Sequence, residues 1–207
     1  MTARARTIDP EVSVPEPDAL VARARAGDRG ALEALLQGIS SRVLAAVRSV
    51  VGRDAGDAED LAQESLVALV RALPSFRGDC AIVSFACGVA VRTALRSRRK
   101  WLRRRRKDDE RALLADTAAA SDDPELDLQR RRRLAAMRSL LRELPIEQAE
   151  AFAMRCLLGD SLPEIAAASG ANLNTLRSRI RLARTALLRR IHDDATLQEL
   201  FEVTDVG

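Results

Sequence analysis

Arg177, Arg179, Arg181 and Arg184 stand within one run, and no acidic residue lies between Asn174 and Ile191. A planar guanidinium hydrogen-bonds in pairs to phosphate oxygens or to the major-groove edge of guanine, so this set suits nucleic-acid recognition. A second cationic set is denser: Arg92, Arg96, Arg98, Arg99 and Lys100, then Arg103, Arg104, Arg105, Arg106 and Lys107. A block of that length repels itself and favours a polyanion. A third set is acidic and polar: Asp57, Glu59, Asp60, Gln63 and Glu64. It serves equally as charge at a helix N-terminus or as a docking face for a basic partner. Covalent chemistry has little to rest on. His192 is the single histidine, and Cys80, Cys87 and Cys156 lack the paired spacing of a disulfide framework or a zinc site. No nucleophile–base set, phosphate loop or ligand cluster is present, so neither an enzyme nor a cofactor or metal is expected. The cysteines read as small buried apolar groups.

The elements that position these residues are helices. Aromatic residues make up 2% of the 207, so Leu, Ala, Val and Ile must build the core, which suits packed helices. Charged residues are 31% and the net charge is +4, so the distribution of charge matters more than its total. Ser161 with Glu164 has the spacing of a capping box, and Pro163 falls in the first turn. Leu162, Ile165, Ala166 and Ser169 continue a short helix that Gly170 can stop. Asn172 can cap the next helix, whose apolar face is Leu173, Leu176, Ile180, Ala183 and Leu187. A short helix, a glycine turn and an arginine-rich helix make a helix-turn-helix, whose second helix can enter a DNA major groove. The same pattern also describes an ordinary α-hairpin with a solvated face, but such a face mixes Glu with Arg for i, i+4 pairing and this one does not.

Residues 1–17 hold Pro10, Pro15 and Pro17 among charges and read as a disordered leader. Asp18 can cap a short helix that Gly27 ends. Asp28 can cap a long one in which Leu32, Leu35, Leu36, Ile39, Val43, Val47 and Val50 recur at three and four before Gly52. A helix follows from about Asp57 to Leu73, with Ala58, Leu61, Ala62, Ser65, Leu69 and Ala72 inward. Residues 74–79 form a turn with Gly78 as its flexible point and Asp79 as the next cap. The helix from Cys80 past Trp101 carries Ile82, Phe85, Ala86, Val89, Ala90 and Thr93 on one side. Trp101 can stack on an unpaired base or pack back on the bundle, and the basic block can serve as a frayed tail or meet an anionic membrane surface. Residues 108–124 lose apolar periodicity and read as a linker. A second domain starts near Glu125, with Leu134, Met137, Leu140, Leu141 and Leu144 on one helix, and Ala149, Phe152, Ala153, Cys156 and Leu157 facing inward on the next. The tail, 193–207, adds one turn of helix. No apolar run of about eighteen residues and no leader h-region stand out, so a soluble, cytoplasmic chain without a membrane segment is expected.

Taken together, three stretches resemble the extracytoplasmic-function (ECF) class of bacterial RNA polymerase sigma factors, in the sigma-seventy family. DAEDLAQES, 57–65, is similar to the helix by which that family docks on the polymerase clamp. SFRGDCAIVSFACGVAVRTALRSRRK, 75–100, resembles the loop and helix that open and read the minus-ten promoter element. Residues 141–191 resemble region 4, whose helix-turn-helix reads the minus-thirty-five element. The resemblance implies an all-α chain of two small helical domains, region 2 at 18–107 and region 4 at 125–192. It implies a transcription initiation factor whose partners are core RNA polymerase, double-stranded promoter DNA and the locally melted strand, and it admits an anti-sigma factor.

By resemblance, Asp60, Gln63 and Glu64 dock on polymerase. Phe76, Arg77, Gly78, Asp79, Phe85, Arg92, Arg96, Arg98 and Arg99 meet the minus-ten DNA. Asn174, Thr175, Arg177, Ser178 and Arg179 begin the recognition helix. Family members usually carry Trp and often Tyr where Phe85 and Cys87 stand here, and Asn where Arg92 stands, which bears on promoter melting. Two alternatives stay open: a stand-alone helix-turn-helix regulator, and a sigma-like interaction protein that does not melt promoters.

Overall fold

The computed structural model describes residues 17–52, 57–104 and 124–202. The expected leader and linker fall almost wholly outside them. The first unit is α1 (Pro17–Arg25), α2 (Arg29–Val51), α3 (Ala58–Ala72), a single 3-10 turn at Leu73–Ser75, and α4 (Ile82–Arg104). The second is α5 (Pro124–Glu143), α6 (Ile146–Cys156), α7 (Leu162–Ser169), α8 (Leu173–His192) and α9 (Ala195–Glu202). No strand occurs among the described residues.

Local chemistry sets the boundaries. Asp28 caps α2 by accepting from the Ala31 N–H at 3.0 Å, and Arg23 Nε donates to its other oxygen at 2.9 Å. These bonds hold the Asp28 carboxyl below its ordinary range, the Ala31 N–H foremost. Gly52 closes α2 at φ 104° with its N–H on the Arg48 carbonyl, a conformation that disfavours any residue with a Cβ. By length and composition α2 could cross a membrane. Its apolar stripe of Leu35, Ile39, Val43, Val47 and Val50 instead lies in the core against α3 and α4. Leu61 and Leu69 face it from α3, and the buried Ser65 hydroxyl donates to the Leu61 carbonyl at 2.7 Å.

Four expectations need correction. The α4 helix starts at Ile82, with the Phe85 N–H on the Ala81 carbonyl; Asp79 is exposed upstream and does not cap it. Pro124 begins α5, where its missing N–H costs little, rather than ending the linker. The tail forms a helix of eight residues, because Asp194 accepts from the Thr196 and Leu197 N–H groups and Leu197 and Phe201 pack on the second core. Of the cysteines only Cys87 is buried; Cys80 is half-buried and Cys156 exposed. Burial foremost pushes all three thiols up, so they are poor nucleophiles.

The larger difference concerns α4. An amphipathic helix was expected, yet the run Phe85 to Val91 is buried on every side. A helix apolar all round must be covered all round. On one side α2 and α3 pack, with the Cys87 thiol 3.9 Å from the Arg42 carbonyl. On the other lie α6 and α7 of the second unit. The line Phe85, Gly88, Val89, Arg92 faces them. A Cβ placed on Gly88 would sit 3.2 Å from Met154 Cε and 3.5 Å from Ala168 Cβ, so the bare backbone permits this approach.

Candidate nucleic-acid interface

The second unit presents α8. Ser161 and Glu164 form the reciprocal capping box: the Ser161 N–H donates to the Glu164 carboxylate at 2.8 Å, and the Glu164 N–H to the Ser161 hydroxyl at 3.4 Å. Gly170 takes φ 70° and ends α7. Asn172 Oδ1 then accepts from the Thr175 N–H at 2.8 Å and starts α8. Leu176, Ala183 and Leu187 are buried, which turns Asn174, Arg177, Arg181 and Arg184 to the exterior. Thr175, Ser178 and Arg179 are half-buried. Arg177 donates to Asn174 Oδ1 at 3.1 Å, so the first turn of α8 carries a tethered guanidinium.

The capping box yields a measurable expectation. Ser161→Ala should destabilise the second unit by about 0.5–2 kcal/mol, read as a lower thermal midpoint. The Ser161 bonds hold the Glu164 carboxyl below its ordinary range. Its contribution is therefore present above the ordinary carboxylate range and lost as pH falls through the lowered value.

The acidic helix α3 turns Ala58, Leu61, Ala62, Ser65 and Leu69 inward. Asp60, Gln63 and Glu64 are exposed along its outer face, continued by Val67 and Val70, which are 52% and 36% exposed. Carboxylates beside uncovered valines make a surface that a basic, partly apolar partner can cover.

The third set comes together around one cavity of about 540 Å³. Phe76, Arg77, Asp79, Phe85 and Arg92 line it from the first unit, and Ala166 to Asn172 line it from the helix-turn-helix. Phe76 and Phe85 are both buried and in contact, with ring centroids 5.1 Å apart and planes tilted by 52°. Neither ring lies open for a base in this arrangement. Arg77 and Gly78 are exposed, the latter at φ 83°. Arg96 is exposed one turn beyond Arg92. Arg98 and Arg99 continue α4, and only their backbone is described.

Arg92 is not turned to solvent. Its Nε donates to Glu150 Oε2 at 3.1 Å, and its Nη2 donates to Glu150 Oε1. That bonding holds the guanidinium protonated above its ordinary value. Glu150, Gly88 and Met154 escaped the sequence reading. One signal was available: Glu150 stands at helical spacing with Ala153, Met154 and Leu157, an acid on an apolar row of α6.

Asp160, between α6 and α7, also sits at this junction. Its Oδ2 is buried without a hydrogen-bond partner in the protein. Burial foremost, then Glu164, pushes its carboxyl up, against the pull of Arg42. A raised folded-state value means stability that is present below the ordinary carboxylate range and lost as pH rises through the raised value. Asp160→Asn should therefore raise the thermal midpoint near neutral pH and flatten that dependence in a pH series.

Two stretches of the chain match known protein families. A family model for Sigma-70 region 2 matches residues 35–107, and one for Sigma-70, region 4 matches residues 134–187. The ECF RNA polymerase sigma factor SigD of Mycobacterium tuberculosis is 33% identical over 181 residues, covering 86% of this chain and 82% of that protein. The RNA polymerase sigma-H factor of Pseudomonas aeruginosa is 30% identical over 174 residues, 81% of this chain and 90% of that one. The ECF RNA polymerase sigma-E factor of Escherichia coli is 32% identical over 179 residues, 83% and 92%. Among solved structures, CnrH in complex with the cytosolic domain of CnrY shares the fold at a TM-score of 0.51 and 24% identity, covering 86% of this chain and 99% of that one.

Proposed function

Because this chain belongs to the ECF class of Sigma-70 RNA polymerase sigma factors, and so is a transcription initiation factor, we propose how its described surfaces divide that work. The exposed row Asp60, Gln63 and Glu64 docks on core polymerase, where opposite charge steers the encounter. The first turn of α8 enters the major groove at the minus-thirty-five element, with Arg177 reading guanine and Arg181 and Arg184 holding phosphates. Arg77, Arg92 and Arg96 with the basic end of α4 follow the minus-ten strand. The loop Phe76 to Asp79, which carries the exposed Arg77 and Gly78, is where an extruded base would be held. The protein supplies specificity in the cytoplasm, and the polymerase does the chemistry. An anti-sigma factor is the further partner that family membership suggests.

The observation that carries this reading is the tethered, acid-free first turn of α8 on a capped helix-turn-helix, with an acidic, partly apolar face on a separate helix. A stand-alone regulator would have no use for the second surface. Footprinting tests the division. With core polymerase, protection should fall in two separated blocks on promoter DNA, and the protein alone should give neither. Tight protection of a single operator without polymerase would favour the regulator instead.

A further inference from the structure

We propose that residues 109–118, in the connection between the two units, dock as a helix in the trough between α5 and α9. The trough has a volume of about 640 Å³. Gln129, Arg132, Ala136, Ser139 and Glu143 line it along α5; they recur at three and four and so share one face, about four turns long. Leu128 continues that face toward the start of α5 and is 47% exposed. Leu197 and Leu200 of α9 form the other wall, and Arg133 Nε joins the two walls by donating to the Leu200 carbonyl at 2.8 Å. At the far end Arg190 donates to both Glu143 oxygens, at 2.8 and 3.3 Å. Arg132 is exposed and enters no ion pair among the described residues. Leucines along the walls and an unpaired arginine at the rim suit an amphipathic helix that carries acid.

The chain itself supplies that helix. Residues 105–123 lie outside the described residues and run directly into α5 at Pro124. The run as a whole lacks a period, but within it Glu110, Leu113, Leu114, Thr117 and Ala118 recur at three and four. Ala112, Ala115 and Ala119 are strong helix formers, and Asp108 and Asp109 stand at the N-terminal end, where acid suits the helix dipole. Ser121, Asp122 and Asp123 before Pro124 are turn residues. Two antiparallel helices are joined by a loop of about two to five residues. A loop at 120–123 brings Leu113 and Leu114 beside Leu128, and Asp109 and Glu110 beside Arg132 and Arg133. Arg111 is then left for Glu199, which is exposed on α9. A segment tethered so near its trough binds at high effective concentration, so modest contacts hold it. Residues 105–108 alone then join α4 to the docked helix, which narrows the spacing allowed between the two DNA elements. That consequence rests on the proposed division of function; the docking does not.

The test uses the full chain carrying Cys156→Ser, since Cys156 is the exposed cysteine. With oxidised glutathione, Leu114→Cys and Leu128→Cys should join within one molecule about tenfold faster than Leu114→Cys and Leu182→Cys, a control pair that uses an exposed leucine of α8. Hydrogen exchange should show the amides of 111–118 protected about tenfold more in wild type than in Leu113→Ser/Leu114→Ser, as expected if about nine-tenths of the molecules hold the docked helix. Arg132→Glu should lower that protection, and Glu110→Arg in the same chain should restore it. Arg132 and Leu128 are exposed, so these changes leave the core intact. Equal joining rates for the two cysteine pairs overturn the proposal, as do amides of 111–118 that exchange like a free chain. Protection of the α5 wall that survives the serine variants, and is lost on deleting 203–207 or on dilution, gives the trough to the tail or to a second copy and overturns it as well. Joining and protection without polymerase-dependent transcription leave the docking standing and sink the proposed division of function.

Discussion

Replacing Arg177 with alanine is expected to lower transcription from a cognate promoter about five- to a hundredfold while leaving polymerase binding unchanged. A bidentate arginine–guanine contact is worth about 1–3 kcal/mol of discrimination, and each 1.4 kcal/mol is tenfold in occupancy. Arg177 is placed for such a contact because Leu176 and Ile180 turn inward beside it, and Asn174 holds its guanidinium at 3.1 Å. Lysine should not rescue it, since an ammonium cannot make the paired contact. Arg181→Ala or Arg184→Ala should behave differently. Each should weaken binding evenly across promoter sequences and lower the salt slope by about one. In vitro transcription beside a polymerase pull-down separates the two classes. Equal loss of transcription and of polymerase binding in Arg177→Ala would count against its assignment.

Reversing charge on the other surface should produce the complementary loss. Asp60→Lys with Glu64→Lys is expected to weaken association with core polymerase about a hundredfold or more, because like charges across an interface cost several kcal/mol. Both residues are exposed and neither supports the core, so the fold should survive with its helical circular dichroism intact, at a slightly lower thermal midpoint because Asp60 lies in the first turn of α3. The deficit should appear mainly in the association rate and shrink at high salt, as screening weakens both attraction and repulsion. Truncating Val67 to alanine should leave the salt dependence alone and raise the dissociation rate. A double variant that binds polymerase normally would remove α3 from the docking surface.

Much of the fold was legible because its signals are local. The three-and-four rhythm of Leu35, Ile39 and Val43 gives α2, and Asp28 and Gly52 bound it. Ser161, Glu164, Gly170 and Asn172 fix the helix-turn-helix within twelve residues of sequence. What was not legible is non-local. Arg92 and Glu150 are separated by 58 positions, and nothing in either neighbourhood announces the other. Gly88 within a helical run reads as a weak helix former, whereas it marks where a second unit comes close. Cys156 sits on the expected inward row, but α6 ends there and its side is left uncovered. Phe85, which by resemblance meets the minus-ten DNA, lies buried with its ring tilted against that of Phe76.

The measurement that bears most directly on the account is transcription of total genomic fragments by purified core polymerase, with and without this protein, read out as sequenced RNA 5′ ends. The account predicts discrete starts that require the protein and share a pair of upstream elements at constant spacing. A protein that binds core polymerase yet yields no dependent starts, on duplex fragments or on templates opened beforehand, would contradict it.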